Sequence, residues 1–235
     1  MKVGPKIIFL FKDADGFGAA ISDALHPSPN SSLRILQESF ELSLERYGIQ
    51  HCKASGDILH FIDDKGLYQV SVLLLQNYEP PILACAVNEV LASITGEESS
   101  TIPTFVAPFL VASSKLKSET KNLTANHNKA LLYGVQIGPG TDISQTLATR
   151  TQKPPSSLQI HHEPLACLLQ LVRVLNLPTF VLIGQRGQGQ ELEVLYEVGE
   201  LLASTSCLCF LRDRIMWNPT KTLKECEEPW RALYG

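Results

Sequence analysis

Four groups of residues have types and spacings that could do chemistry. Asp13, Asp15 and Asp142 each follow an apolar run that reads as a strand. Open α/β sheets keep their working groups at such strand ends. Asp-Gly turns and helix caps occupy the same places for structural reasons. Gly184-x-x-Gly187-x-Gly189 lies between a strand and a helix, where a phosphate loop would sit. Its spacing is the reverse of the dinucleotide fingerprint, and no Lys-Ser/Thr follows it. Glu191 and Glu193 would repel a phosphate from the helix N-terminus. It reads as a glycine turn. His161-His162-Glu163 offers metal-binding atoms, but neighbouring side chains point apart. No His or Cys pair stands at ligand spacing elsewhere, so Glu163-Pro164 reads as the start of a helix. The fourth group is the terminus, Trp230-Arg231-Ala232-Leu233-Tyr234-Gly235.

That terminus has the makings of a plug. Pro229 discourages a helix from running to the end. The aromatic ring of Tyr234 offers a large contact area with few rotors to freeze. Leu233 adds apolar surface, and the Gly235 carboxylate is a charge that a lysine or a set of backbone amides could capture. The competing reading is that Tyr234 packs back on its own domain. No Gly-x-Ser-x-Gly elbow is present and no histidine stands in triad order. The sequence therefore assigns no catalytic residue, no metal site and no cofactor. The alternative is an α/β enzyme or nucleotide-binding protein using the strand-end loops at 13–16, 138–142 and 184–189.

The elements that would position these groups follow a strand-helix rhythm. Residues 7–11 are a continuous apolar run, which suits a strand buried on both faces. A turn with a cap-like Asp leads into a helix at 17–25. Residues 32–47 carry Leu33, Leu36, Phe40 and Leu44 at helical spacing, with Gly48 as the stop. Strands at 58–62 and 67–75 flank the turn Asp63-Asp64-Lys65-Gly66. Residues 82–95 are apolar nearly all round and read as a buried helix; an interface is the weaker reading. Pro103 and Pro108 make 102–111 an interrupted or edge strand. Residues 113–129 and 141–160 read as two long polar loops around a strand at 130–137. A helix at 165–175, a strand at 178–183, a helix at 191–203 and a strand at 207–211 complete the pattern. The expectation is a single α/β domain over 1–217, with a mixed, mostly parallel sheet flanked by helices, and a tail over 218–235.

Bulk properties narrow the function. Twenty Lys and Arg against 24 Asp and Glu leave a net charge of −4. A basic footprint for nucleic acid is missing, and no apolar run approaches a membrane span. The six cysteines lie mostly in apolar runs without a C-x-x-C. That is how reduced, buried cysteines look, and it points to a cytoplasmic or nuclear compartment.

Four stretches together resemble the proteasome assembly chaperone 1 family. They are the opening strand-helix at 7–25; Pro103-Thr104-Phe105-Val106-Ala107-Pro108-Phe109-Leu110 running into the charged 113–121; the helix-strand unit at 165–183 with Asn176-Leu177-Pro178; and Leu233-Tyr234-Gly235. The resemblance implies a non-enzymatic chaperone for assembly of the 20S proteasome α-ring. Its C-terminal motif would insert between α subunits, a role that falls on Leu233, Tyr234 and Gly235. It also implies a heterodimer with a second subunit similar to proteasome assembly chaperone 2. A single tail buries little surface, so a second tail on a dimer would raise the effective concentration.

Overall fold

Residues 7–11 are apolar on both sides of the pleat, and the computed structural model builds the sheet around them. It describes residues 1–96, 102–117, 132–186 and 189–217. In chain order the elements are β1 (Lys6–Phe11), α1 (Phe17–Ala24), β2 (Leu25–Pro27), β3 (Arg34–Ser43), β4 (Lys53–Ile62), β5 (Tyr68–Leu75) and α2 (Ile82–Thr95). There follow β6 (Thr104–Ala112), β7 (Leu116–Lys117), β8 (Leu132–Ile137), α3 (Asp142–Arg150), β9 (Gln159–Ile160) and α4 (Glu163–Val174). The last are β10 (Thr179–Arg186), α5 (Glu191–Ser206) and β11 (Leu208–Phe210).

The main sheet has seven strands in the order β3-β4-β5-β1-β6-β10-β8. The four inner strands β5, β1, β6 and β10 run parallel, while β8, β4 and β3 are antiparallel to their neighbours. This is the single-domain α/β architecture with a mixed sheet that the sequence predicts. Side chains of β1 alternate between two cores. Ile7, Phe9 and Phe11 meet Leu83, Val87 and Leu91 of α2 and Leu165 and Leu168 of α4 on one face. Ile8 and Leu10 meet Ile21 of α1 and Val194, Leu195 and Val198 of α5 on the other. Gly18 lets α1 lie against β1, since a Cβ there would stand 2.1 Å from the Phe11 carbonyl oxygen. Helix α2 covers the residues expected and gives its apolar side to the core.

Three expectations are corrected. Residues 32–47 are not a helix: 34–43 form β3, paired with β4 along all ten residues. The sequence at Leu36, Phe40 and Leu42 also alternates with a period of two, and the open edge of β4 decides between the two periods. Residues 141–160 are not a loop throughout. Thr141 and Ser144 form a reciprocal capping box that starts α3, with the Ser144 amide donating to Thr141 Oγ1 at 3.3 Å and the Thr141 amide to Ser144 Oγ at 2.8 Å. The other expected loop, 113–129, is a 3₁₀ turn at 113–115 and β7 as far as the described residues go.

The third correction concerns 102–111, which is neither edge nor interrupted: β6 lies between β1 and β10. Its proline is tolerated because of where it points. The Thr104 amide donates to Pro5 on the β1 side, and the Phe105 amide donates to Pro178 on the β10 side. Alternation puts the Pro108 nitrogen on the β1 side. There pairing has already ended at Ile8 and Val106, so no ladder bond is lost.

Phe9 is fully buried between the α2 and α4 layer and the sheet. Phe9→Ala is expected to lower unfolding free energy by about 3–5 kcal/mol in urea titrations.

Candidate functional site

Strand β1 stays paired with β5 as far as Phe11 but parts from β6 after Ile8. A crevice therefore opens at the carboxyl ends of the parallel strands, between the two directions in which the chain winds. Ligands of open α/β sheets bind at such switch points. Here the crevice is lined by Phe11, Asp13, Asp15, Asn77, Phe109 and His162, among others.

Its two aspartates and its histidine already have structural work. The Asp13 carboxylate accepts from the Phe17 amide at 3.0 Å and the Gly18 amide at 3.1 Å. It satisfies the free amides at the start of α1. Burial pushes its pKa up, and those amide bonds pull the other way. Asp15 takes a hydrogen bond from Arg186 Nη1 at 2.7 Å, and Arg186 Nε lies 3.8 Å from Glu191. His162 caps α4: its Nδ1 accepts from the Leu165 amide at 3.3 Å. That acceptor role assigns the ring proton to Nε2. The ring meets Phe109 edge-on at 5.8 Å. Burial first, then repulsion from Lys115, brings the His162 pKa down to about 4, against the pull of Asp15.

The space left is about 60 Å³, roughly two water molecules. Pockets for organic ligands run from about 300 Å³ upward. The three strand-end loops do not converge. Residues 13–16 and the end of β10 meet through the Asp15–Arg186 pair. Asp142 starts α3 after β8, which runs antiparallel to β10, so β8 finishes at the opposite end of the strands, where β10 begins. Gly184 is part of β10, where a Cβ would stand 2.3 Å from Val194 of α5; its lack of a side chain serves strand–helix packing. Gly187 lies outside the described residues, and Glu191 and Glu193 occupy the first turn of α5. His161 is exposed. Among the described residues no group of three or more His, Cys, Asp or Glu could hold a metal ion.

Two features escaped sequence reasoning. His60 on β4 and Ser71 on β5 bond at 2.9 Å, and Glu38 lies 3.9 Å from the other ring nitrogen. The trio has the types of a hydrolytic triad. Ser71 is wholly buried and its Oγ also accepts from the Gly4 amide at 2.8 Å, so it ties the chain's start to the sheet. Burial holds the His60 pKa below the ordinary range. The second feature is Trp217. Its indole nitrogen donates to the Asp15 carbonyl and its ring meets Phe17 edge-on at 6.0 Å. A lone tryptophan after Arg212-Asp213-Arg214 carries no periodic signal that would assign it a partner. Leu233, Tyr234 and Gly235 lie outside the described residues, but the described chain ends beside the crevice, at Trp217.

His162 yields a pH prediction. A base whose folded pKa lies below its unfolded value costs stability as pH falls from about 6.5 toward about 4, since the unfolded chain takes the proton first. The His162 ring proton in NMR should titrate near pH 4. His162→Asn, which keeps a cap acceptor, should flatten the fall in Tm over that window. A midpoint near 6.5 would contradict the burial.

A family described as a domain of unknown function, DUF7894, matches residues 1–235. No curated protein matches the sequence. A Mycobacterium tuberculosis protein of unknown function shares the fold with a TM-score of 0.52 at 12% identity, over 98% of this chain and 79% of its own. PbaA of Pyrococcus furiosus, described as an archaeal homolog of proteasome-assembly chaperone, gives 0.50 at 13% identity over 100% and 94%. PbaB of the same organism, described as an archaeal proteasome activator, gives 0.50 at 12% over 100% and 96%. At these identities the likeness is one of fold.

Proposed function

The chain belongs to the DUF7894 family, and from that premise we propose that it is a non-enzymatic chaperone of proteasome assembly. It works as one subunit of a dimer and docks Leu233, Tyr234 and the Gly235 carboxylate between α subunits of the 20S ring. Its working compartment is the cytoplasm, and the nucleus where proteasomes assemble there. The fold shared with PbaA and PbaB supports the chaperone class. The observation that carries the docking reading is Trp217. Its bond to Asp15 and its contact with Phe17 hold the base of the tail on the folded domain. From that base, the 18 residues of 218–235 can span at most about 60 Å. Tethering at a fixed point confines the terminus within that reach, which raises its local concentration at a groove.

The crevice supports the same reading from the other side. Its carboxylates and histidine cap helices and pair with Arg186, and its volume suits water. A nucleophile with an adjacent free base, the usual mark of covalent chemistry, is not found among the described residues lining it.

The test is a pull-down of purified α-rings by the full chain and by chains ending at Ala232 or carrying Tyr234→Ala. Both variants should lose at least tenfold in affinity with an unchanged melting curve. A truncated chain that melts earlier would mean the tail is structural. Retained binding would remove the tail from the interface. Nucleotides, nucleosides and common divalent metals should leave Tm flat, since any ligand of the native state would raise it.

A further inference from the structure

Strand β3 is the outermost strand of the main sheet on its side. One of its long sides bonds β4 from Arg34 to Ser43 with no break in register. Residues 34–39 are all exposed, whereas Phe40 and Leu42 lean on the core. Ile35 is 42% exposed and Leu36 is 38% exposed. Soluble proteins blunt such edges with short strands, lysine, proline or bulges. Arg34-Ile35-Leu36-Gln37-Glu38-Ser39 has no lysine, proline or bulge, and its two charges, Arg34 and Glu38, are of opposite sign. It is a ten-residue strand with apolar side chains on both faces of its exposed half.

We propose that this edge pairs with the same edge of a second copy of the chain, antiparallel, about a two-fold axis through Leu36. The argument is self-complementarity. An antiparallel two-fold that continues the sheet keeps each face on its own side, so only registers centred on a residue are possible. Centring on Leu36 sets Leu36 against Leu36 of the second copy. Arg34 then faces Glu38 on the same face, twice, and Ile35 faces Gln37 on the other. Centring on Glu38 would oppose two carboxylates. Centring on Gln37 would put Glu38 against Leu36, and centring on Ser39 would put it against Phe40. Directly opposed unlike charges stabilise a strand pair and like charges destabilise it. The Leu36 register alone matches charge with charge and covers both exposed apolar residues. It also overlaps the stretch that is exposed, and leaves out the half of β3 already leaning on the core. The result is a continuous fourteen-stranded sheet, twice the seven of one copy, with a tail on each half. The resemblance to proteasome assembly chaperone 1 implies a different second subunit; the β3 edge supplies the second tail from the chain itself.

Sedimentation velocity of the isolated full chain tests this without any proteasome component, so its failure is separate from failure of the chaperone reading. The wild type should be a dimer in the micromolar range. Glu38→Arg, which opposes Arg34 with arginine twice, should weaken the dimer about tenfold or more. Arg34→Glu with Glu38→Arg restores opposite pairs and should recover most of the loss. Leu36→Lys should give a monomer. All positions are exposed, so circular dichroism should be unchanged. A wild-type monomer throughout this range, a dimer indifferent to Leu36→Lys, or a double swap no better than Glu38→Arg would overturn the proposal.

Discussion

Residues Ile7 to Phe11 are buried on both faces of the sheet, and the rest of the fold answers that constraint. A strand apolar on both sides can only be covered by two layers, and crossover helices supply them. Helices α2 and α4 close one face and α1 and α5 the other. With β5 on one side and β6 on the other, β1 becomes the strand from which the winding turns both ways. The crevice beside it is a consequence of that topology. So is the place of Pro108, whose missing amide would break a ladder anywhere nearer the start of β6.

A crevice at a switch point invites a catalytic reading, and its residue types encourage one: two aspartates, a histidine and an arginine. Their geometry points elsewhere. Asp13 satisfies helix amides, His162 caps α4 in its neutral form, and Asp15 links the start of α1 to the end of β10 through Arg186. Buried polar groups that are fully used rigidify a site rather than activate it. The same corner also receives Trp217. The polar cluster thus locks together β1, β10, α1 and Trp217 at the end of the described chain.

The opposite side of the sheet is less finished. Its outer strand carries apolar side chains into solvent with an uninterrupted row of backbone groups. Pairing of two such edges costs no new fold and sets two domains in one sheet.

How far the residues alone went depends on the range of the interactions involved. Local, short-range signals held. The apolar run of β1, the Asp63-Asp64-Lys65-Gly66 turn, the helix of α2 with its flanking Pro81 and Gly96, and the Glu163-Pro164 start of α4 are all where their chemistry puts them. The mismatch of the glycine turn with a phosphate loop and the structural role of His162 could also be read from spacing. Signals that two periods share were decided by contact. Leu33, Leu36, Phe40 and Leu44 fit a helix, but β4 needed an edge partner. Thr141 and Ser144 were a capping box hidden in a polar stretch. The seat of Trp217, the His60–Ser71 link and the free edge of β3 come from residues far apart in the chain. An α/β domain, its buried central strand and an aromatic terminus are written in local residue patterns. Strand order is not, because it depends on which edges remain open once the neighbouring strands have paired.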